Sequence, residues 1–262
     1  MLEKFLSFVN TLGRFVIGFF RASGDLILFT VQILLYIFKA PFYINETIRM
    51  SIEIGFYSLP VVALTTIFSG MVIAIQTYEA VSKFSAEGAV SMVVLVAVTR
   101  ELAPVMAALM VAGRIGAAMA AEIGTMRVTE QIDALSTLRT NPVQYLIVPR
   151  VVAGTLMMPL LVLIGDVIGV CGGYLVGVTK MDFNATTYLV NTWNTLKAMD
   201  IVSGMTKAAV FGFIITVLGC YNGFKSQGGA QGVGQATTNA VVSSSILILI
   251  FNYLLTELFF KM

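Results

Sequence analysis

Histidine is absent from this sequence, so a histidine-ligated zinc site and an imidazole proton relay are both excluded. Cysteine is nearly absent. Cys171 and Cys220 both lie in apolar segments, form no disulfide framework and are read as small buried packing residues. Charge is the scarcest commodity: 11% of residues are charged and 58% hydrophobic, with a mean hydropathy of +0.90. Soluble domains carry about 25% charged residues. This chain has too little charge to cover a water-exposed surface, so lipid is the expected solvent for most of it. Its net charge is only +2 and no basic tract occurs, which argues against nucleic acid as a partner. A phosphate-binding loop is missing too. The glycine-rich stretch NGFKSQGGAQGVGQATT lacks the lysine-serine/threonine ending and follows an apolar span rather than a strand. It is read as a tight cytoplasmic turn. No cofactor is expected on this chain, and if ATP powers it, a separate subunit binds the ATP.

What is present is a series of long apolar runs. They predict an all-α integral membrane protein: five transmembrane helices preceded by an N-terminal amphipathic interfacial helix. In the first 21 residues, Leu2, Phe5, Leu6, Val9, Leu12, Val16, Phe19 and Phe20 recur at helical spacing, with Glu3, Lys4, Ser7, Asn10, Arg14 and Arg21 largely opposite. That pattern fits a helix lying on an anionic membrane surface. The apolar run Leu26–Phe38 invites a signal-peptide reading, but Gln32 interrupts it, Lys39, Pro41 and Phe42 follow, and no small-x-small cleavage site is evident. A second interfacial or half-inserted helix is expected there. Residues 1–45 thus form an elbow, and residues 46–262 a five-helix domain with spans at about 54–77, 88–126, 146–179, 201–222 and 237–256. The second span is too long for one perpendicular crossing: at 1.5 Å per residue it approaches 58 Å, against about 30 Å of hydrocarbon. Arg114 and Glu122 suit a protruding cytoplasmic end. Pro149 and Pro159 are expected bend points in the third span.

Placing the N-terminus in the cytoplasm puts Lys4, Arg14, Arg21, Lys39, Arg49, Arg114, Arg127, Arg139, Arg150 and Lys225 inside. Only Lys83, Lys180, Lys197 and Lys261 fall outside, and Arg100 and Lys207 remain within spans. This positive-inside bias places the C-terminus outside. No inverted repeat is visible, and five spans make a thin wall for a large cavity, so a homodimer enclosing the cavity at its two-fold axis is the economical arrangement. Small residues recur every four positions in the second span (Ala108, Ala112, Gly116, Ala120, Gly124) and in the third (Gly165, Gly169, Gly173, Gly177), where they allow close helix packing.

The polar residues that remain carry the functional reading. Arg100 and Glu101 sit inside the longest apolar stretch, where an ionisable pair is costly unless it meets a cavity or a partner. Helical neighbours point about 100° apart, so they cannot pair ideally with each other. Either one faces a cavity while the other reaches a neighbouring helix or second protomer, or both belong to structural ion pairs. Pro104, one turn on, is expected to loosen the helix. Gln76 and Tyr78 end the first span and either rim the cavity mouth or belong to the interfacial belt. Asp166, a lone acid among glycines, suits either proton carriage or a structural carboxyl, satisfied or protonated. With Glu101 it supports an alternative: an ion-coupled carrier of an amphiphile. A passive membrane anchor is a third reading. Between the second and third spans, Ile132, Leu135 and Leu138 give an apolar face, and Arg127, Glu130, Asp133 and Arg139 supply charge. This short cytoplasmic helix either rests on the membrane or docks into a soluble partner's groove.

The stretches LVAVTRELAPVMAALMVAGRIGAAMAAEIGTMRVTEQIDAL, NPVQYLIVPRVVAGTLMMPLL, GGYLVG and GGAQGVGQATTNAVVSS resemble the MlaE/YrbE permeases of ABC-type phospholipid transport systems, over about residues 45 to 258. The resemblance implies a homodimer in the bacterial inner membrane. It also implies a cytoplasmic ABC ATPase, an MCE-domain periplasmic protein and often a STAS-domain protein. Phospholipid would occupy an outward-open pocket at the dimer axis, with Gln76, Tyr78, Arg100 and Glu101 at or near it. The loop helix at 127–139 would be the ATPase-coupling helix, with Glu122, Arg127, Glu130, Gln131, Asp133 and Leu135 at that contact.

Overall fold

The computed structural model describes residues 2–82 and 88–261, with side chains from residue 13 onward except at 15 and 19. Among the described residues every regular element is helical. The chain runs through α1 (Leu2–Ile37), α2 (Ile44–Gly55) and α3 (Leu59–Val81), then α4 (Ala89–Ala97), α5 (Ala103–Val111) and α6 (Ala117–Val128). The short α7 (Gln131–Thr137) follows, then α8 (Val148–Lys180), α9 (Ala185–Thr195), α10 (Ala198–Phe224) and α11 (Gly229–Phe260). All-helical construction follows from the solvent: hydrocarbon offers backbone N–H and C=O groups no partner, so each segment must satisfy its own.

Among the described residues, six segments are long and apolar enough to cross a membrane: Val16–Ile37, Ile44–Val81, Ala89–Val128, Val143–Lys180, Ala198–Phe224 and Gly229–Phe260. The last five contain the five expected spans and extend most of them. The first lies in α1, which is one continuous helix where two were expected. Gly24 and Asp25 do not interrupt it: the Asp25 carboxylate pairs with Lys225, and a lone glycine costs a helix only about 1 kcal/mol. The expected polar and apolar sides of residues 2–12, and Lys83, lie outside the described residues.

Helices α4 to α6 form one rod of 40 residues, about 60 Å long. It is interrupted by two π-helical turns, Val98–Leu102 and Ala112–Gly116. A third π turn, Val143–Ile147, opens the long α8 segment just before Pro149, and α8 then stays helical through Pro159. The bundle core packs α8 against α3 and α10, and α10 against the rod and α11. The expected small-residue stripes are the contact lines. A Cβ added at Gly70 would land on the Gly169 carbonyl, and one at Gly223 would sit 2.8 Å from the Ala120 carbonyl. Backbones approach this closely only because glycine has no side chain.

Three further differences bear on the site. Most of the expected glycine-rich turn is the first three turns of α11, which begins at Gly229 after left-handed Gly228. Helix α9, unexpected from the sequence, is capped by Asn184 Oδ1, which accepts from Thr187 N at 3.1 Å. Cys220 is buried as expected, but Cys171 is exposed on α8.

Candidate functional site

The first π turn of the rod carries the dyad. Pro104 has no N–H, so the Arg100 carbonyl four residues earlier loses its helical donor. The backbone widens there, and Ala103 N–H bonds to the Val98 carbonyl five residues back. Such turns are rare and concentrate at functional sites. The freed Arg100 carbonyl accepts instead from Lys207 Nζ on α10, at 2.8 Å.

Both dyad side chains then reach the same neighbouring helix. Arg100 Nε and Nη2 each lie 2.8 Å from Asp200 Oδ1, and its guanidinium carbon stands 4.1 Å from the centre of the Phe260 ring. Asp200 Oδ2 also accepts from Lys197 N at 3.3 Å, so one buried carboxylate caps α10 and meets the arginine. Glu101 Oε1 accepts from Lys207 Nζ at 2.8 Å and from Thr256 Oγ1 at 2.9 Å, and Oε2 accepts from Asn252 Nδ2 at 2.9 Å. Lys207 is 0% exposed. Its third proton goes to Thr256 Oγ1 at 2.7 Å, so all three ammonium protons are placed. Two opposite-sign pairs thus close a neutral polar seam between rod, α10 and α11, and neither buried charge is left uncompensated. The seam is not sealed: the Arg100 and Glu101 side chains remain 27% and 38% exposed. It can therefore present charge of both signs to a zwitterionic or anionic group.

Of the two arrangements expected for the dyad, the contacts are those of ion pairs: both side chains reach α10, and both keep part of their surface open. Asp200, Lys207, Asn252 and Thr256 were not foreseen as partners. The one signal for them was Lys207, a lone cation inside the fourth span. Gln76 is exposed near the end of α3, and Tyr78 packs edge-on against Phe183, with ring centres 5.7 Å apart. The described contacts do not join these two residues to the dyad.

Glu101 lies about 18 Å from the start of the rod and about 40 Å from its far end, by helical rise. At the far end sits α7, shorter than the expected 127–139 because α6 runs on to Val128 and Glu130 adopts a left-handed conformation (φ 60°). Arg127 Nη1 meets Asp133 Oδ1 at 2.7 Å across that corner, and Gln131 Nε2 donates to Thr129 Oγ1 at 3.1 Å. Ile132 is buried and Leu135 packs on the core, while Glu130 is exposed and Leu138 projects, 75% exposed. Glu122 pairs with buried Arg150 at 2.9 Å.

A family model described as Permease MlaE matches residues 47–258. The chain belongs to the MlaE permease family. Relatives align along most of its length. A probable ABC transporter permease protein of Rickettsia felis is 57% identical over 98% of this chain and 99% of its own. The intermembrane phospholipid transport system permease protein MlaE of Haemophilus influenzae is 34% identical over 97% of this chain and 98% of its own. The Arabidopsis chloroplast protein trigalactosyldiacylglycerol 1 is 38% identical over 88% of this chain and 66% of its own. This MlaE-family chain is accordingly a multi-pass ABC transporter permease.

Proposed function

We propose that the chain is the membrane half of a phospholipid pump whose energy comes from a separate ABC ATPase. The observation that carries this reading is end-to-end similarity to the Haemophilus phospholipid permease. Five segments cross the membrane and α1 lies at its cytoplasmic face, with the N-terminus inside and the C-terminus outside; the positive-inside bias supports this orientation. Two copies pair around a lipid-holding vestibule. The broad exposed apolar side of α11, including Ile246, Leu249 and Leu258, supports such a pairing. Arg100 and Glu101, from the polar seam, and Gln76 and Tyr78, nearer the outer end, face the headgroup, while apolar walls hold the acyl chains. Helix α7 with its flanks, Glu122, Arg127, Glu130, Gln131, Asp133 and Leu135, receives the stroke of the ATPase. An MCE-domain protein takes or supplies lipid outside, and a STAS-domain protein accompanies the ATPase. Membership of an ABC permease family disfavours the ion-coupled carrier, as does the full engagement of Glu101 by Lys207, Asn252 and Thr256.

Purification from membranes in mild detergent, followed by reconstitution, tests the proposal. A P-loop ATPase should co-purify, and lipid transfer should require ATP. Arg100→Ala and Glu101→Ala should slow transfer in complexes that still assemble. A purified chain that moves lipid alone, without nucleotide, refutes the reading.

A further inference from the structure

Asp166 sits near the middle of α8, only 5% exposed, and neither carboxylate oxygen has a hydrogen-bond partner among the described residues. It lines a pocket of about 220 Å³ between α8, α4 with its π turn, and the α9–α10 corner. The remaining walls are almost wholly apolar, with Leu95, Val170 and Ile201 among them. Two threonines also line it, and both have already spent their hydroxyl protons. Thr99 Oγ1 donates to the Leu95 carbonyl at 2.9 Å, and Thr192 Oγ1 donates to the Tyr188 carbonyl at 2.9 Å. What they offer the pocket is lone pairs. Exposed Cys171 adds only a weakly polar thiol. Among the described residues, no basic side chain lines the pocket.

The site is thus an acid and two acceptors set in an apolar wall, with only the weak S–H of Cys171 to donate among the described residues. A buried carboxyl without a donor is costly in a low-dielectric medium. A ligand that relieves the carboxylate in its ionised form brings N–H protons, preferably with positive charge, on an apolar body. An alcohol supplies one proton and no charge. A phosphate or carboxylate would add repulsion and find no donor. We propose that this pocket binds a lipophilic primary ammonium, separately from the polar seam around Glu101. The ammonium sits on Asp166, Thr99 and Thr192, and the hydrocarbon lies against Val170 and its neighbours.

The chain contains a single tryptophan, Trp193, adjacent to Thr192 in sequence and 76% exposed. It serves as a built-in reporter. Purified protein in neutral detergent is titrated with undecylamine carrying a terminal bromine, and with the matching bromine-tailed undecanol; bromine quenches indole fluorescence on contact. The amine should quench at about tenfold lower concentration than the alcohol, the margin expected of one charge-assisted set of hydrogen bonds. Asp166→Asn, of the same shape, should erase that margin. Equal quenching by amine and alcohol in the unaltered protein overturns the proposal without recourse to any variant, as does an amine preference that survives in Asp166→Asn. Competition by phosphatidylethanolamine but not phosphatidylcholine supports the proposal with a lipid headgroup as the source of the ammonium. Competition by neither, with the amine preference intact, supports it with a free single-chain amine as the source.

Discussion

Lys207→Met removes the ammonium at the centre of the polar seam and keeps a flexible apolar side chain in its place. Three hydrogen bonds disappear together. The Arg100 carbonyl is left without its donor, because Pro104 cannot replace it; an unpaired buried carbonyl costs about 1–3 kcal/mol. Breaking a fully buried ion pair costs about 3–5 kcal/mol. Glu101 is 38% exposed and keeps Asn252 and Thr256 as donors, so screening reduces that part to about 1–2 kcal/mol. Methionine returns some stability by burying apolar surface where a charge had been desolvated. The net expectation is a loss of about 2–3 kcal/mol, read as a shift of the unfolding midpoint in detergent. A double-mutant cycle with Glu101→Gln isolates the pair, and its coupling energy should be about 1–2 kcal/mol. A Lys207→Met protein as stable as its parent would refute the reasoning, as would additivity of the two changes within about 0.5 kcal/mol.

Gly70→Leu should drive α3 away from α8, because even a Cβ there lands on the Gly169 carbonyl; the expected loss is about 3 kcal/mol or more, seen as collapse of the monodisperse peak in size exclusion. Leu138→Asp, on a projecting side chain that the core does not need, should leave the melting temperature within about 1 °C while reducing ATPase co-purification severalfold. Lys225 titrates above its ordinary 10.5 because Asp25, and then Tyr221, hydrogen-bond its ammonium. Its contribution to holding α1 is therefore fully present below 10.5 and fades only as pH rises through the raised value. Protection of α1 from hydrogen exchange, corrected for the intrinsic rate, should stay flat from pH 6 to 9, fall in stronger alkali, and weaken in Asp25→Asn at any pH in that range.

What could be read from the chain alone was what lipid enforces. Spans follow from hydropathy because a backbone in hydrocarbon must be helical, and the glycine stripe of α8 marks its contact line because nothing else lets two backbones touch. Helix α9 escaped because an 11-residue segment with one asparagine cap carries little periodic signal. The glycine-rich segment misled in the other direction: each glycine argues for a turn, yet packing of α11 against α6 and α10 outweighs a propensity cost of about 1 kcal/mol per residue. The partners of Glu101 lie more than 100 residues away on other helices, and no local pattern encodes which helices adjoin. Even so, one inference was within reach. Pro104 must strand the carbonyl of Arg100 inside an apolar bundle, and a stranded carbonyl there needs a donor. With Arg114 and Arg150 assigned to cytoplasmic ends, the cation left deep in a span besides the dyad is Lys207. Pairing the orphaned acceptor with the orphaned donor would have placed α10 beside the first π turn, and with it the charge partner of Glu101.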